Sequence, residues 1–126
     1  MQKKPFREPK AWRYELEGGW IALAGKTDAD NDLLSLHYSR PNDWWFHVKG
    51  MPGSHVILQG DGKPDNATLK EAAAIAAWHS KARNAGMVAV NCTQAANVSK
   101  PRGAKPGSVT IKKEKTLKVR PAIPNS

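Results

Sequence analysis

The chain has 126 residues, 40% of them hydrophobic and 25% charged, with five tryptophans and a formal net charge of +9. That length supports one modest core rather than two domains, and the composition is that of a folded chain. No apolar run approaches the roughly 20 residues a membrane helix needs, and the single Cys92 excludes an intramolecular disulfide or a thiolate zinc site.

The first 12 residues read as a basic N-terminal arm, residues 13–121 as the domain and residues 122–126 as a short tail. Arg13–Leu16 and Trp20–Ala24 flank Gly18 and Gly19 and read as a hairpin, because paired glycines accept the positive φ of tight turns. A first helix follows, capped by Thr27 or Asp28, striped by Leu33, Leu34, Leu36 and Tyr38 and stopped by Pro41. Trp44–Lys49 and His55–Gln59 read as strands around the turn formers Pro52 and Gly53, with their register open.

The Ala-rich stretch from Thr68 to about Asn84 reads as the longest helix, opened by a capping box between Thr68 and Glu71. Met87–Cys92 reads as a buried strand. Ser108–Lys112 and Thr116–Arg120, with Val109, Ile111, Leu117 and Val119 alternating with polar residues, read as a half-buried hairpin. The fold class expected is a single small α+β domain: a mostly antiparallel or mixed β-sheet, with one short helix and one long Ala-rich helix packed on it. One sheet face is expected to be core and the other basic.

The charge is uneven. Residues 1–63 carry 9 Lys/Arg against 8 Asp/Glu, whereas residues 64–126 carry 11 against 3. A basic C-terminal half calls for an acidic partner. These cations lie on strands and a Gly/Pro loop rather than on an amphipathic helix, so nucleic acid is favoured over a membrane surface.

The segment Arg40 to His47 (RPNDWWFH), followed by Met51 to Val56 (MPGSHV), resembles the NFACT-R family, an RNA-binding domain of ribosome quality-control factors. Further features agree in order: Gly25-Lys26 before Asn31-Asp32, Ser80 late in the Ala-rich helix, the loop Lys100 to Gly107 (KPRGAKPG), and Glu114 to Leu117 (EKTL). The resemblance runs from about Tyr14 to Pro121. It implies a cytoplasmic module that binds tRNA or ribosomal RNA, with the large ribosomal subunit as a candidate partner and a place in translation or ribosome-associated quality control. It does not imply the ribosome docking and tRNA recruitment that larger family members carry on other domains.

The residues support the same chemistry. Lys100, Arg102, Lys105 and Lys112 can neutralise phosphates, and Gly103 and Gly107 let the backbone approach them. Alternation puts Trp44, Phe46 and Val48 on one strand face and Trp45, His47 and Lys49 on the other. Trp45 is then either a base-stacking ring or a buried one, and His47 either a nucleotide donor or a residue satisfied by Asp43. Ser54 either caps backbone amides or holds phosphate beside His55, and Arg40 and Asp43 complete the candidate footprint.

Two other functions fit parts of the pattern. His47 and His55 could serve as a general acid–base pair for metal-independent RNA cleavage, and the aromatic strand could dock a protein. No carboxylate cluster or phosphate-gripping loop accompanies the histidines, so binding without catalysis is expected. His37, His47, His55 and His79 lack the spacing of a local ligand pair, and no metal or cofactor is expected.

Overall fold

The computed structural model describes residues 7–124; the first half of the expected basic arm and the last two residues of the expected tail lie outside them. Strands β1 (Ala11–Leu16) and β2 (Trp20–Gly25) form the first hairpin, and Gly18 and Gly19 both take positive φ, 86° and 82°, in the turn between them. A short helix α1 (Asp28–Leu33) continues as a wider π-helical turn, Leu34–Tyr38, and the Thr27 side chain accepts from Asp30 N as its cap. Strands β3 (Trp44–Val48) and β4 (Val56–Gln59) pair antiparallel with Trp45 opposite Ile57.

Helix α2 (Asn66–Trp78) lies across one face of the sheet. Its cap is Asp65, whose Oδ1 accepts from Thr68 N at 2.9 Å and from Thr68 Oγ1 at 2.8 Å, so the helix begins two residues before the expected capping box. It also ends six residues early. There the backbone turns outward so that the His79 carbonyl accepts from Ser54 N and Lys81 N donates to the Pro52 carbonyl, which pins the Pro52–Ser54 turn to the end of α2. Ala72, Ala73, Ala76 and Ala77 are fully buried, and their small side chains let the helix lie close on Phe46, Val48, Val56 and Leu58.

Strand β5 (Val88–Gln94) pairs with β3, and β8 (Lys115–Val119) pairs with β5, completing a six-stranded antiparallel sheet in the order β1-β2-β4-β3-β5-β8. The hairpin expected between Ser108–Lys112 and Thr116–Arg120 does not form. Instead β6 (Val98–Ser99) pairs with β7 (Thr110–Ile111) as a separate ribbon, and β8 joins the main sheet. Lys113 sits at φ 57°, and the chain changes sheet there.

The alternation itself was a true signal of half-burial. Val109 and Ile111 pack against one cluster, with Leu34, Trp45 and Ile57, while Leu117 and Val119 pack in the other, under α2. Both faces of the sheet therefore carry apolar packing, correcting the expectation of one core face and one basic face: the second face has its own small cluster beside its exposed lysines. Phe46 is at the centre of the larger cluster. Phe46→Ala should cost about 3–5 kcal/mol, read as a lower urea midpoint with an unchanged slope; a loss below about 1 kcal/mol would contradict this packing.

Candidate nucleic-acid interface

The site grows from His55. It is only 2% exposed, and a buried imidazole needs a partner for each nitrogen. Its Nε2 lies 3.1 Å from the Gly107 carbonyl, which can only accept, so Nε2 carries the proton. Its Nδ1 therefore accepts from the Ser35 hydroxyl at 2.7 Å, and that oxygen accepts in turn from Trp45 Nε1 at 2.9 Å. One directed chain of hydrogen bonds runs from β3, through the π-helical turn and the residue just before β4, to the basic loop.

The loop is held from a second side. Asp32 accepts from Gly107 N at 3.0 Å through Oδ1 and pairs with Lys100 Nζ at 3.1 Å through Oδ2. Lys100 also donates to the Lys105 and Ser108 carbonyls at 2.6 and 2.9 Å. Gly107, at φ 86°, has both its amide and its carbonyl engaged inside the protein. Its role is to close the loop onto the sheet, in place of the phosphate approach expected from the glycine.

Burial reorders the candidate residues. Trp45 is 2% exposed, packed with Leu34 and Ile57 and bonded to Ser35. Its ring is thus enclosed rather than open to stack on a base. Asp43 is also buried. It accepts from Arg40 N at 2.8 Å and Gln59 Nε2 at 2.7 Å, and its Oδ1 lies 3.7 Å from Arg40 Nε, so it shapes the entry to β3 and does not contact His47. Ser54 donates to the Gly25 carbonyl at 2.6 Å, and His55 N donates to Asn31 Oδ1 at 3.0 Å. Arg40 and Asp43 stand at the opposite end of β3 from His47 and Lys49, away from the loop.

His47, half-buried, meets His55 edge-on with ring centroids 5.2 Å apart, and Trp45 lies 6.0 Å from it. Strand register puts Asn91, Thr116 and Lys118 on the same sheet face as His47 and Lys49. Lys49, Arg102, Lys105 and Lys112 are exposed, and among the described residues none stands within ion-pair distance of a carboxylate. Asp32 and Ser35, which position the loop, were not among the sequence candidates as binding groups. Asp32 was visible only as part of the Asn31-Asp32 signature, and Ser35 carried no local signal.

The fold and site define a class: a small α+β domain in which a clamped basic loop overhangs one face of an antiparallel sheet. A family model described as the NFACT protein RNA binding domain matches residues 10–113. The Rqc2 homolog RqcH of Bacillus subtilis is 40% identical over 120 residues, 95% of this chain and 21% of that protein. That of Streptococcus suis is 38% identical over 121 residues, 95% of this chain and 22% of that protein. The solved C-terminal part of the fibronectin/fibrinogen-binding protein from Streptococcus suis superposes with a TM-score of 0.85 at 35% identity, covering 97% of this chain and 49% of that one. The chain belongs to the NFACT RNA-binding domain family. It spans about a fifth of the length of its RqcH relatives.

Burial pushes the His55 imidazole down to about 4, and the nearby His47 pushes it in the same direction. His79 is likewise held at about 4, by burial first and then by Arg83. An unfolded imidazole titrates near 6.5, so the unfolded state takes up these protons first. The stability that their neutral burial contributes is therefore present above about pH 6.5 and is lost as pH falls toward 4. For His55 alone the loss between pH 7 and pH 5 is about 2 kcal/mol. Urea midpoints at the two pH values should differ accordingly, and His55→Gln should shrink the difference; equal midpoints for the unsubstituted protein would refute a buried neutral imidazole.

Proposed function

We propose that this domain is a non-catalytic RNA-binding module for structured RNA, tRNA or ribosomal RNA, acting in the cytoplasm in translation or ribosome-associated quality control. The observation that carries the reading is the fixed basic loop. Asp32 and His55 hold its backbone from two sides, and Arg102 and Lys105 remain exposed and unpaired among the described residues. Cations on a preordered backbone lose less entropy on meeting phosphate than cations on a mobile one. Lys49, Lys112 and Lys118 extend the same charge.

The histidine pair favours binding over cleavage. Both nitrogens of His55 are engaged inside the protein, so it has no free position from which to take or give a substrate proton. The family match supports RNA as the partner, and the likeness to the RqcH relatives supports a place in ribosome quality control. No helix among the described residues is long and apolar enough to cross a membrane.

Anisotropy titrations of tRNA and ribosomal RNA hairpins over a range of salt concentrations test the reading. Lys105→Ala should weaken binding to every RNA alike and flatten the log–log salt dependence by about 1, and Arg102→Ala with Lys105→Ala by about 2. An unchanged slope would remove these residues from the footprint. Recovery of only protein partners after nuclease treatment, or cleavage of labelled tRNA that His47→Ala abolishes, would overturn the proposal.

A further inference from the structure

A second feature lies off the loop-bearing face, at the corner where β1, β2 and the end of α2 meet. An open groove of about 330 Å³ is lined there by Trp12, Lys26, Asp28, His79, Lys81 and Arg83. We propose that this groove takes one unpaired nucleotide of a bound RNA, its base on Trp12 and its phosphate at Lys26, Lys81 and Arg83. The proposal rests on the RNA-binding reading and adds where a single-stranded end or flipped base would sit.

Three observations converge on it. Trp12 is 40% exposed, yet its ring is not loose. It stacks on His79 at 4.2 Å between centroids with 12° between the planes, and His79 is fixed from below by the Tyr14 hydroxyl, 2.6 Å from its Nε2. A large aromatic ring held rigid at the surface is a stacking platform that needs little further ordering.

The second observation is charge. Three cations and one carboxylate border the groove, which gives it an excess of positive charge. The Lys26 ammonium stands 5.4 Å from the Trp12 ring centroid, the place a base would take. Its flexible stem lets it leave the ring for a phosphate when a nucleotide enters. Arg83 is braced by its Nε, which donates to the Trp78 carbonyl at 2.6 Å, and by its guanidinium lying 4.7 Å from the Trp78 ring centroid, so its charge is held near the rim.

The third is size. About 330 Å³ is at the small end of ligand sites, room for one nucleotide and not for a duplex. Thr27, Asn31 and Ser80 make the lining polar, with their hydroxyl and amide oxygens already bonded within the protein, so the phosphate-facing cations and the Trp12 ring carry the recognition. Asp28 on the lining lies against Gly107, but Trp12, Lys26, Lys81 and Arg83 have their partners elsewhere, so substitutions at these four test the groove apart from the Lys100–Gly107 loop.

The experiment compares a blunt RNA hairpin with the same hairpin carrying a four-nucleotide 3′ overhang, by anisotropy against the full chain. One stacked base is worth roughly a factor of 5 to 150 in affinity, and the overhang RNA should bind tighter by at least the lower figure. Trp12→Ala should bring the overhang RNA down to the level of the blunt hairpin, and Trp12→Tyr should restore most of the preference. Lys26→Ala with Lys81→Ala, which leaves the ring stack in place, should reduce it as well.

Adenosine monophosphate separates a free nucleotide from a strand and should compete only at millimolar concentration. Micromolar binding would replace the RNA occupant with a free nucleotide and overturn the assignment. Equal affinity of the unsubstituted protein for both RNAs would overturn the groove and leave the loop-based reading standing. Failure to bind either RNA would remove both.

Discussion

A buried imidazole has two nitrogens of opposite character, and both must be satisfied without water. His55 meets this demand with a carbonyl on one side and a hydroxyl on the other. Because the carbonyl belongs to Gly107, neutrality of the ring fixes where the basic loop lies. Because the hydroxyl belongs to Ser35 and is itself bonded by Trp45, the same neutrality fixes the π-helical turn and the inward pose of the indole. Protonation would put a second donor on the ring where Ser35 already donates, so the chain has one stable direction.

The residues just before His55 extend that constraint to the rest of the molecule. Gly53 pairs with Ser80 at the end of α2; an added Cβ there would come within 2.7 Å of the Ser80 Cβ, so glycine is required for the approach. Ser54 donates to the Gly25 carbonyl, and Gly25 N donates to the His55 carbonyl. Asn31, on α1, receives His55 N. Three consecutive residues thus tie β2, α1, α2 and the basic loop together, although the segment between β3 and β4 is irregular. This explains why α2 stops at Trp78 while its sequence could continue: helical continuation would remove the carbonyl and amide partners that the Pro52–Ser54 turn uses.

Features set by local chemistry were legible in the sequence. The Gly18-Gly19 turn, the Ala-rich helix and the period-two alternation of the strands each reflect interactions within a few residues, and each element formed within a few residues of its expected place, apart from the last six residues expected of the helix. Pairing was not legible, because alternation assigns a side chain to a face but carries no information about the neighbouring strand. Thr110–Ile111 and Lys115–Val119 therefore alternate alike yet join different sheets. Trp45 shows the same limit at the site. Its face was correctly assigned, but what covers that face comes from Leu34, Val98, Val109 and Ile111, segments distant in the chain. The Asp65 cap was missed because Thr68 and Glu71 offered a competing and well-formed local signal.

The same contrast bears on what a family signature marks. Asp43, Trp45, Ser54 and His55 each need a particular donor or acceptor at a fixed place, and none of them can be exchanged for a residue of merely similar polarity without leaving a buried group unpaired. A phosphate contact asks far less: a cation within reach of a strand whose charge is spread along its length. Lys49, Arg102, Lys105 and Lys112 meet that looser condition from flexible side chains on the surface. A motif rich in aromatic and imidazole groups consequently reads as a binding site in the sequence, while in the fold it is the frame. On the proposed RNA-binding reading, the contacts belong to lysines and arginines whose backbone positions the frame sets through Gly107, Asp32 and the sheet register.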